Sequence, residues 1–347
     1  MRKYLFWFLL LVYYAFGGDR YFVIDSSLYR IEHGQMIILK DNIVDIFYIS
    51  DKPHFVQWQD QEVNVLTFRS IGFIPFIRSN IYKVLSIRGI DRYVGTVARE
   101  GVFFIVTDKS LQAIGKDYKI SKKIEFRDFE AAFTYSELIV LKNLRSGVFY
   151  IYEIDRLDQP IFTVNYSHLL QILKNDHGYF LLALSHIYEN QYELLVDLVR
   201  DNACHSVLRK KIKVFYDSTF YLVRINSQYL LLQEKGEATL YRITDSLSLM
   251  SVKKIPSYYS YFVNGYLFTI NQSNLIVYYF RDGEFDPVFS IPNVSFIFYS
   301  RDRLYYLSQD SIAGVWKLNS MVFKDDRIYR DNEEIVLYSM PEEVIPI

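Results

Sequence analysis

The chain has 347 residues, with 39 Lys and Arg against 40 Asp and Glu and a formal net charge of −1. That balance excludes a generally basic nucleic-acid binder and a polyanionic tail. Hydrophobic residues make up 51% and aromatics 18%, including 31 Tyr and 27 Phe; this excludes intrinsic disorder and favours strands, because Tyr and Phe suit a pleated, half-buried surface.

In chain order, the first element is a targeting signal. Met1-Arg2-Lys3 is a short basic start, Tyr4 to Phe16 is an apolar run, and Ala15-Phe16-Gly17 places small residues at the −3 and −1 positions of a cleavage site before Gly18. The run is short of the roughly 20 apolar residues a spanning helix needs. The alternative is an uncleaved anchor. The expected organisation is a signal peptide over 1–17 and one domain over 18–347, with no transmembrane segment after signal removal.

From Tyr21 onward the chain repeats. Apolar runs begin at Tyr21, Phe55, Tyr93, Leu138, Tyr179, Tyr229, Tyr266 and Leu304, spaced 34 to 50 residues apart, and each is followed about ten residues later by a second run. A period of about 40 is that of a unit of four strands. In the sixth unit Tyr229-Leu230-Leu231-Leu232 is followed by the turn Gln233 to Gly236 and then Leu240-Tyr241-Arg242-Ile243. Such runs separated by Gly, Asn, Asp and Ser are hairpin signals. Between hairpins fit an outer strand, as in Met36 to Leu39, and an inner strand, as in Ile43 to Ile49, Ile81 to Ile87 and Val294 to Tyr299. Leu169 to Leu173 also reads as an inner strand, despite a helix-compatible pattern. The first unit lacks an inner strand of its own, and the segment Glu334 to Met340 supplies one to spare, closing the array by pairing into the first unit.

These turn-then-hairpin units, such as Phe47-Tyr48-Ile49-Ser50-Asp51 leading into Phe55-Val56, resemble the β-propeller superfamily over roughly residues 19–341. They are most similar to extracytoplasmic YVTN-type propellers and, more broadly, to WD-repeat blades; Trp316 sits where a WD-type Trp would, but Lys317 follows it. The resemblance implies an all-β fold, a single eight-bladed propeller closed by its C-terminal strand, with seven blades as the alternative count. Ser308 to Trp316 resembles the Asp-box turn of sialidase-like propellers, with two extra residues between Asp310 and Gly314.

Chemistry-bearing motifs are sparse. None of the six histidines, His33, His54, His168, His177, His186 and His205, has a zinc-ligand spacing. No Gly-x-Ser-x-Gly frames a nucleophile. Cys204 is the only cysteine, so no internal disulfide forms, and it reads as an inert, buried thiol. No cofactor, metal or catalytic residue is assigned. One constellation stands out: Asp45, Lys83 and Asp128 lie ten residues before their unit's anchor, Thr219 shares the offset, and His168 is one residue from it. On inner strands these residues would form a polar ring around a ligand or peptide site; otherwise they are the solvated starts of those strands. Most aromatics read as packing between units, with any surplus on the rims able to bind sugar or protein.

The reading that results is a non-catalytic, monomeric propeller outside the cytoplasm, periplasmic or secreted, acting as a protein-interaction scaffold in the cell envelope. The alternative is a propeller enzyme or sugar-binding protein with its ligand at the central channel mouth. Nucleic acid is not an expected partner.

Overall fold

The structure, a computed structural model, describes residues 20–24, 27–32, 35–49, 52–68, 81–99, 101–201, 203–214, 220–234, 236–300, 303–310, 312–324, 327–337 and 344–346. The expected leader, with Gly17 and Gly18, lies outside the described residues, as do His33 and Thr219. Among the described residues no helix is long and apolar enough to cross a membrane.

The described strands form eight four-stranded antiparallel sheets. The first contains β1 (Arg20–Ile24), β2 (Ser27–Glu32) and β3 (Gln35–Lys40). The second is β4 (Ile43–Ile49), β5 (Lys52–Gln59), β6 (Glu62–Phe68) and β7 (Ile81–Arg88), and the third β8 (Tyr93–Arg99), β9 (Val102–Thr107), β10 (Ser110–Ile114) and β11 (Ile120–Glu125). The fourth is β12 (Phe129–Tyr135), β13 (Leu138–Asn143), β14 (Phe149–Glu153) and β15 (Phe162–Val164). The fifth is β16 (His168–Asn175), β17 (Gly178–Tyr188), β18 (Gln191–Arg200) and β19 (Ala203–Lys213), and the sixth β20 (Tyr221–Arg224), β21 (Tyr229–Glu234), β22 (Glu237–Ile243) and β23 (Leu249–Pro256). The seventh is β24 (Tyr259–Val263), β25 (Tyr266–Asn271), β26 (Asn274–Arg281) and β27 (Glu284–Pro292); the eighth is β28 (Val294–Ser300), β29 (Arg303–Asp310), β30 (Val315–Lys324) and β31 (Arg327–Leu337). The last strand, β32 (Val344–Pro346), pairs antiparallel with β1 and completes the first sheet.

Two sequence expectations are corrected here. The strand that joins the first sheet is β32, not Glu334 to Met340: residues up to Leu337 belong to β31, whose Ile335, Val336 and Leu337 oppose Leu318, Lys317 and Trp316. In the third unit the frame is off by one strand. Ile81–Arg88 is the fourth strand of the second sheet, pairing with β6, so Tyr93 opens the first strand of the third sheet rather than the second. The 12 residues between Phe68 and Ile81 make the spacing of this unit resemble that of a unit whose inner strand is Ile81 to Ile87. Leu169–Leu173 lies within strand β16, as its place in the repeat required.

Tight turns join the strands. Asn264-Gly265 and Asp282-Gly283 place two successive residues at positive φ, the geometry whose twist matches the flanking strands. The repeat also shows in its irregularities. The first strand carries a β-bulge where it meets the second in the second, third, fourth, fifth and eighth sheets, leaving Val44, Val94, Ala132, Leu170 and Ser295 without an opposite partner. Bulges at the same place in successive units re-aim the neighbouring side chains in the same way each time.

The core lies between consecutive sheets, which is why most strands read as continuous apolar runs instead of alternating ones. One cluster joins Phe47, Val56 and Val65 of the second sheet to Phe103, Ile105 and Ile114 of the third. Others join the fourth sheet to the fifth, the fifth to the sixth, the sixth to the seventh and the seventh to the eighth. Aromatics fill these seams: Tyr266 and Phe268 of β25 pack on Phe323 of β30, with ring centroids 6.1 and 5.9 Å away. The chain divides into two compact units, Met1–Thr107 with Gln112–Lys123 and Met340–Ile347, and Asp108–Leu111 with Ile124–Ser339.

Candidate functional site

The four ring candidates serve four different local roles. Asp45 follows the bulge at Val44 on β4 and turns toward the next sheet, where its Oδ2 accepts hydrogen bonds from the Tyr93 hydroxyl at 2.5 Å and the Thr96 backbone N–H at 3.0 Å; Oδ1 accepts from the Ile46 N–H at 2.8 Å. Burial pushes the Asp45 carboxyl above its ordinary range, opposed by the bonds from Tyr93, Ile46 and Thr96. Burial and the Asp45 charge push the Tyr93 hydroxyl well up as well. Lys83 stands on β7, the opposite edge of the same sheet from β4, and is exposed, with its Nζ 3.7 Å from Glu62. Asp128 is a turn residue at φ +60 before β12 that pairs with Arg145 at 3.0 Å. His168 opens β16 and is exposed, its ring 6.2 Å from that of Tyr192. Asp45 and Lys83, on opposite edges of one sheet, are therefore not brought together, while Asp128 and His168 each have a local partner of their own.

The Asp45 arrangement recurs. Gln171 follows the bulge at Leu170, and its amide donates to the Leu222 carbonyl at 3.0 Å and accepts from the Leu222 N–H at 2.6 Å on the first strand of the next sheet. Tyr221, on that strand, donates to the Ser260 carbonyl at 3.0 Å and accepts from its N–H at 2.7 Å on the first strand of the sheet after. First strands of neighbouring sheets do not pair with one another, so their inward backbone groups need side-chain partners, and these residues supply them. The polar positions that the sequence offset detected are in part this stitching. Asp310 acts in the same structural spirit: its carboxylate accepts from the Ile312 and Ala313 N–H groups, both at 3.1 Å, in the turn before β30, as an Asp-box-like turn would.

A different feature distinguishes one unit from the rest. β17 has 11 residues, whereas the corresponding second strands of the other sheets have 5 to 8. Its pairing with β16 ends at Leu184, opposite His168, while the ladder to β18 runs on to Tyr188↔Gln191 and that of β18 to β19 to Gln191↔Lys213. A three-stranded tip of residues 185–188, 191–193 and 211–213 thus extends past the first strand. It is fixed by polar bonds: the Ser167 hydroxyl accepts from the His186 N–H at 3.0 Å, His186 Nε2 donates to the Glu189 carbonyl at 2.9 Å, and Asn190 O accepts from the Val214 N–H at 3.0 Å. The His186 and Tyr192 rings meet edge to face at 5.1 Å. At its end Ile187 is 48% and Tyr188 60% exposed. Sequence reasoning missed this tip. Its signal was the 50-residue spacing that follows Tyr179, the longest in the repeat.

No family model and no curated protein matches the chain. Among solved structures, apo AztD from Citrobacter koseri superposes with a TM-score of 0.54 at 11% identity, over 95% of this chain and 98% of that one. A second Citrobacter koseri AztD structure gives a TM-score of 0.50 at 12% identity, over 95% and 96%. The fold is a β-propeller. The WD40 domain of SCAP from fission yeast is similar at a TM-score of 0.49 and 11% identity, over 90% of this chain and 91% of that one. The tip is an extension of the fifth sheet, one blade of that fold.

Proposed function

We propose that this propeller is a non-catalytic interaction scaffold that works outside the cytoplasm, holding a protein partner on the tip of the fifth blade. The observation that carries the reading is the extended, hydrogen-bonded hairpin end with Ile187 about half and Tyr188 more than half exposed. Large apolar side chains on a stiff support lose little entropy on contact and make effective anchors. In this reading the eight sheets are the eight blades of one array, closed by the β32–β1 pairing, and the basic and apolar segment before Gly18 directs export.

The test is a paired substitution, Ile187→Asp with Tyr188→Asp, in the exported protein. Both side chains lie beyond the pairing with β16, so folding is retained. The expected outcome is loss of co-purifying partner protein, with an unchanged denaturation midpoint. Retention of every partner by the double variant overturns the reading.

A further inference from the structure

The seam between the seventh and eighth sheets holds a feature that is independent of the tip. Phe289 and Ile291 of β27 stand two residues apart and so share one face of their strand, as do Ile328 and Arg330 of β31. With Met321 of β30 and Ser290, these side chains line a cavity of about 340 Å³. Its inner wall is apolar: Met321 is 1% and Ile291 7% exposed, and Phe289 and Ile328 pack against the same buried cluster. The ladder between β30 and β31 loses its register here. Met321 opposes Arg330, but Asn319 opposes Glu334, so residues 331 to 333 of β31 face Ser320 alone. Such a bulge bends the outer strand and makes room beside it.

Arg330 is the only charged residue on the cavity wall. Its Nε donates to the Tyr306 hydroxyl at 3.0 Å, and its guanidinium lies 6.0 Å from the centre of the Tyr306 ring. Tyr306 is 2% exposed, so the core fixes its position, and it pins the guanidinium in turn. That bond uses one of the five N–H donors of an arginine. Among the described residues the donors on Nη1 and Nη2 have no acceptor. One N–H is enough to satisfy a tyrosine oxygen; a pinned guanidinium whose fork stays open beside an apolar cavity suits a carboxylate that carries an apolar chain.

We propose that this cavity binds a small aliphatic monocarboxylate of the medium-chain fatty-acid class. The carboxylate takes the Nη1 and Nη2 donors of Arg330, and the chain lies against Phe289, Ile291, Met321 and Ile328. The volume is at the low end of the roughly 300–1,000 Å³ of small-molecule pockets, which suits one chain rather than a two-chain lipid. Burial of the chain supplies attraction without direction, and the guanidinium supplies orientation and the preference for an anion.

Calorimetric titration of the intact chain with decanoate, below its micellar concentration, tests this. The expected result is saturable binding at one site, at least about tenfold weaker in Arg330→Gln. Decyltrimethylammonium, with the same chain and the opposite charge, is expected to bind native protein at least about tenfold more weakly than decanoate does. Equal affinity for the two amphiphiles, decanoate affinity unchanged by Arg330→Gln, or no saturable binding overturns the proposal. Should Arg330→Gln fail to fold because Tyr306 loses its donor, a decanoate analogue with a terminal diazirine decides on the native chain. After photolysis, mass spectrometry is expected to place the adduct within residues 289–291 or 321–330, and its absence from both segments refutes the site.

Discussion

Asp45 illustrates how a single buried residue serves this fold. It accepts three hydrogen bonds, from the Thr96 and Ile46 N–H groups and from the Tyr93 hydroxyl, which also meets the Thr96 hydroxyl at 2.6 Å. Its carboxyl is nonetheless pushed up, because burial outweighs those bonds. A carboxyl whose folded-state pKa exceeds its unfolded one adds stability in acid and loses it as pH rises through the folded value. Native protein is therefore expected to lose unfolding free energy relative to Asp45→Asn as pH rises above about 4, read as the difference between two denaturation curves at each pH; a constant difference contradicts the assignment. Glycines give a second residue-scale test. Gly178 sits at φ +137, and a Cβ there would lie 2.3 Å from the Val199 carbonyl oxygen, whereas Gly147 at φ +72 faces open space. Gly178→Ala is expected to cost more than about 2 kcal/mol, because strain adds to a backbone clash. Gly147→Ala should cost about 1 kcal/mol from its left-handed backbone alone. Equal denaturation midpoints for the two variants would contradict this account.

Strands and hairpins were the most legible level of the sequence. The paired runs, the Asn264-Gly265 turn and the inner strand over Leu169 to Leu173 are local signals, and the structure has them in place. The frame of the third unit was not legible, because assignment of Ile81–Arg88 to the second or third sheet depends on pairing across a 12-residue interval. The closing strand was misplaced for a similar reason: Glu334 to Leu337 and Val344 to Pro346 both follow the last hairpin, and only register distinguishes them. Outer strands had a clear physical mark that the repeat analysis did not use. β11 carries Lys122-Lys123, β19 Lys210-Lys211 with Lys213, β23 Lys253-Lys254, and β27 Pro287. Lysine and proline on edge strands discourage pairing with other chains. At this scale the closing pair is testable. Ile345 opposes Val23 in the short β1–β32 ladder, and Ile345→Pro removes a backbone donor. A loss of about 1–3 kcal/mol in unfolding free energy is expected, and an unchanged value would show that the ladder contributes nothing.

At the scale of the whole molecule, repetition carries the fold and departure from repetition carries the candidate functions. The polar offset read from the sequence mixed unlike things, since Asp45 stitches sheets, Asp128 holds a turn, Lys83 lies on an outer edge and His168 stands at the root of the tip. What they share is position along the chain, and position alone does not converge side chains. The fifth blade departs from its neighbours in the length of its hairpin. That was visible as a local oddity, the 50-residue spacing, but its meaning depended on which side chains the ladder left exposed. Exposure was equally illegible for Cys204, which reads as buried and lies exposed on the outer strand of that blade. The claim that the tip is the partner-binding surface is tested most directly by a photo-crosslinking residue at position 188, compared with one at Ile312, which is 98% exposed on another blade. The account predicts a discrete protein adduct from position 188 and none from position 312; adducts of equal yield at both positions, or none at 188, would contradict it.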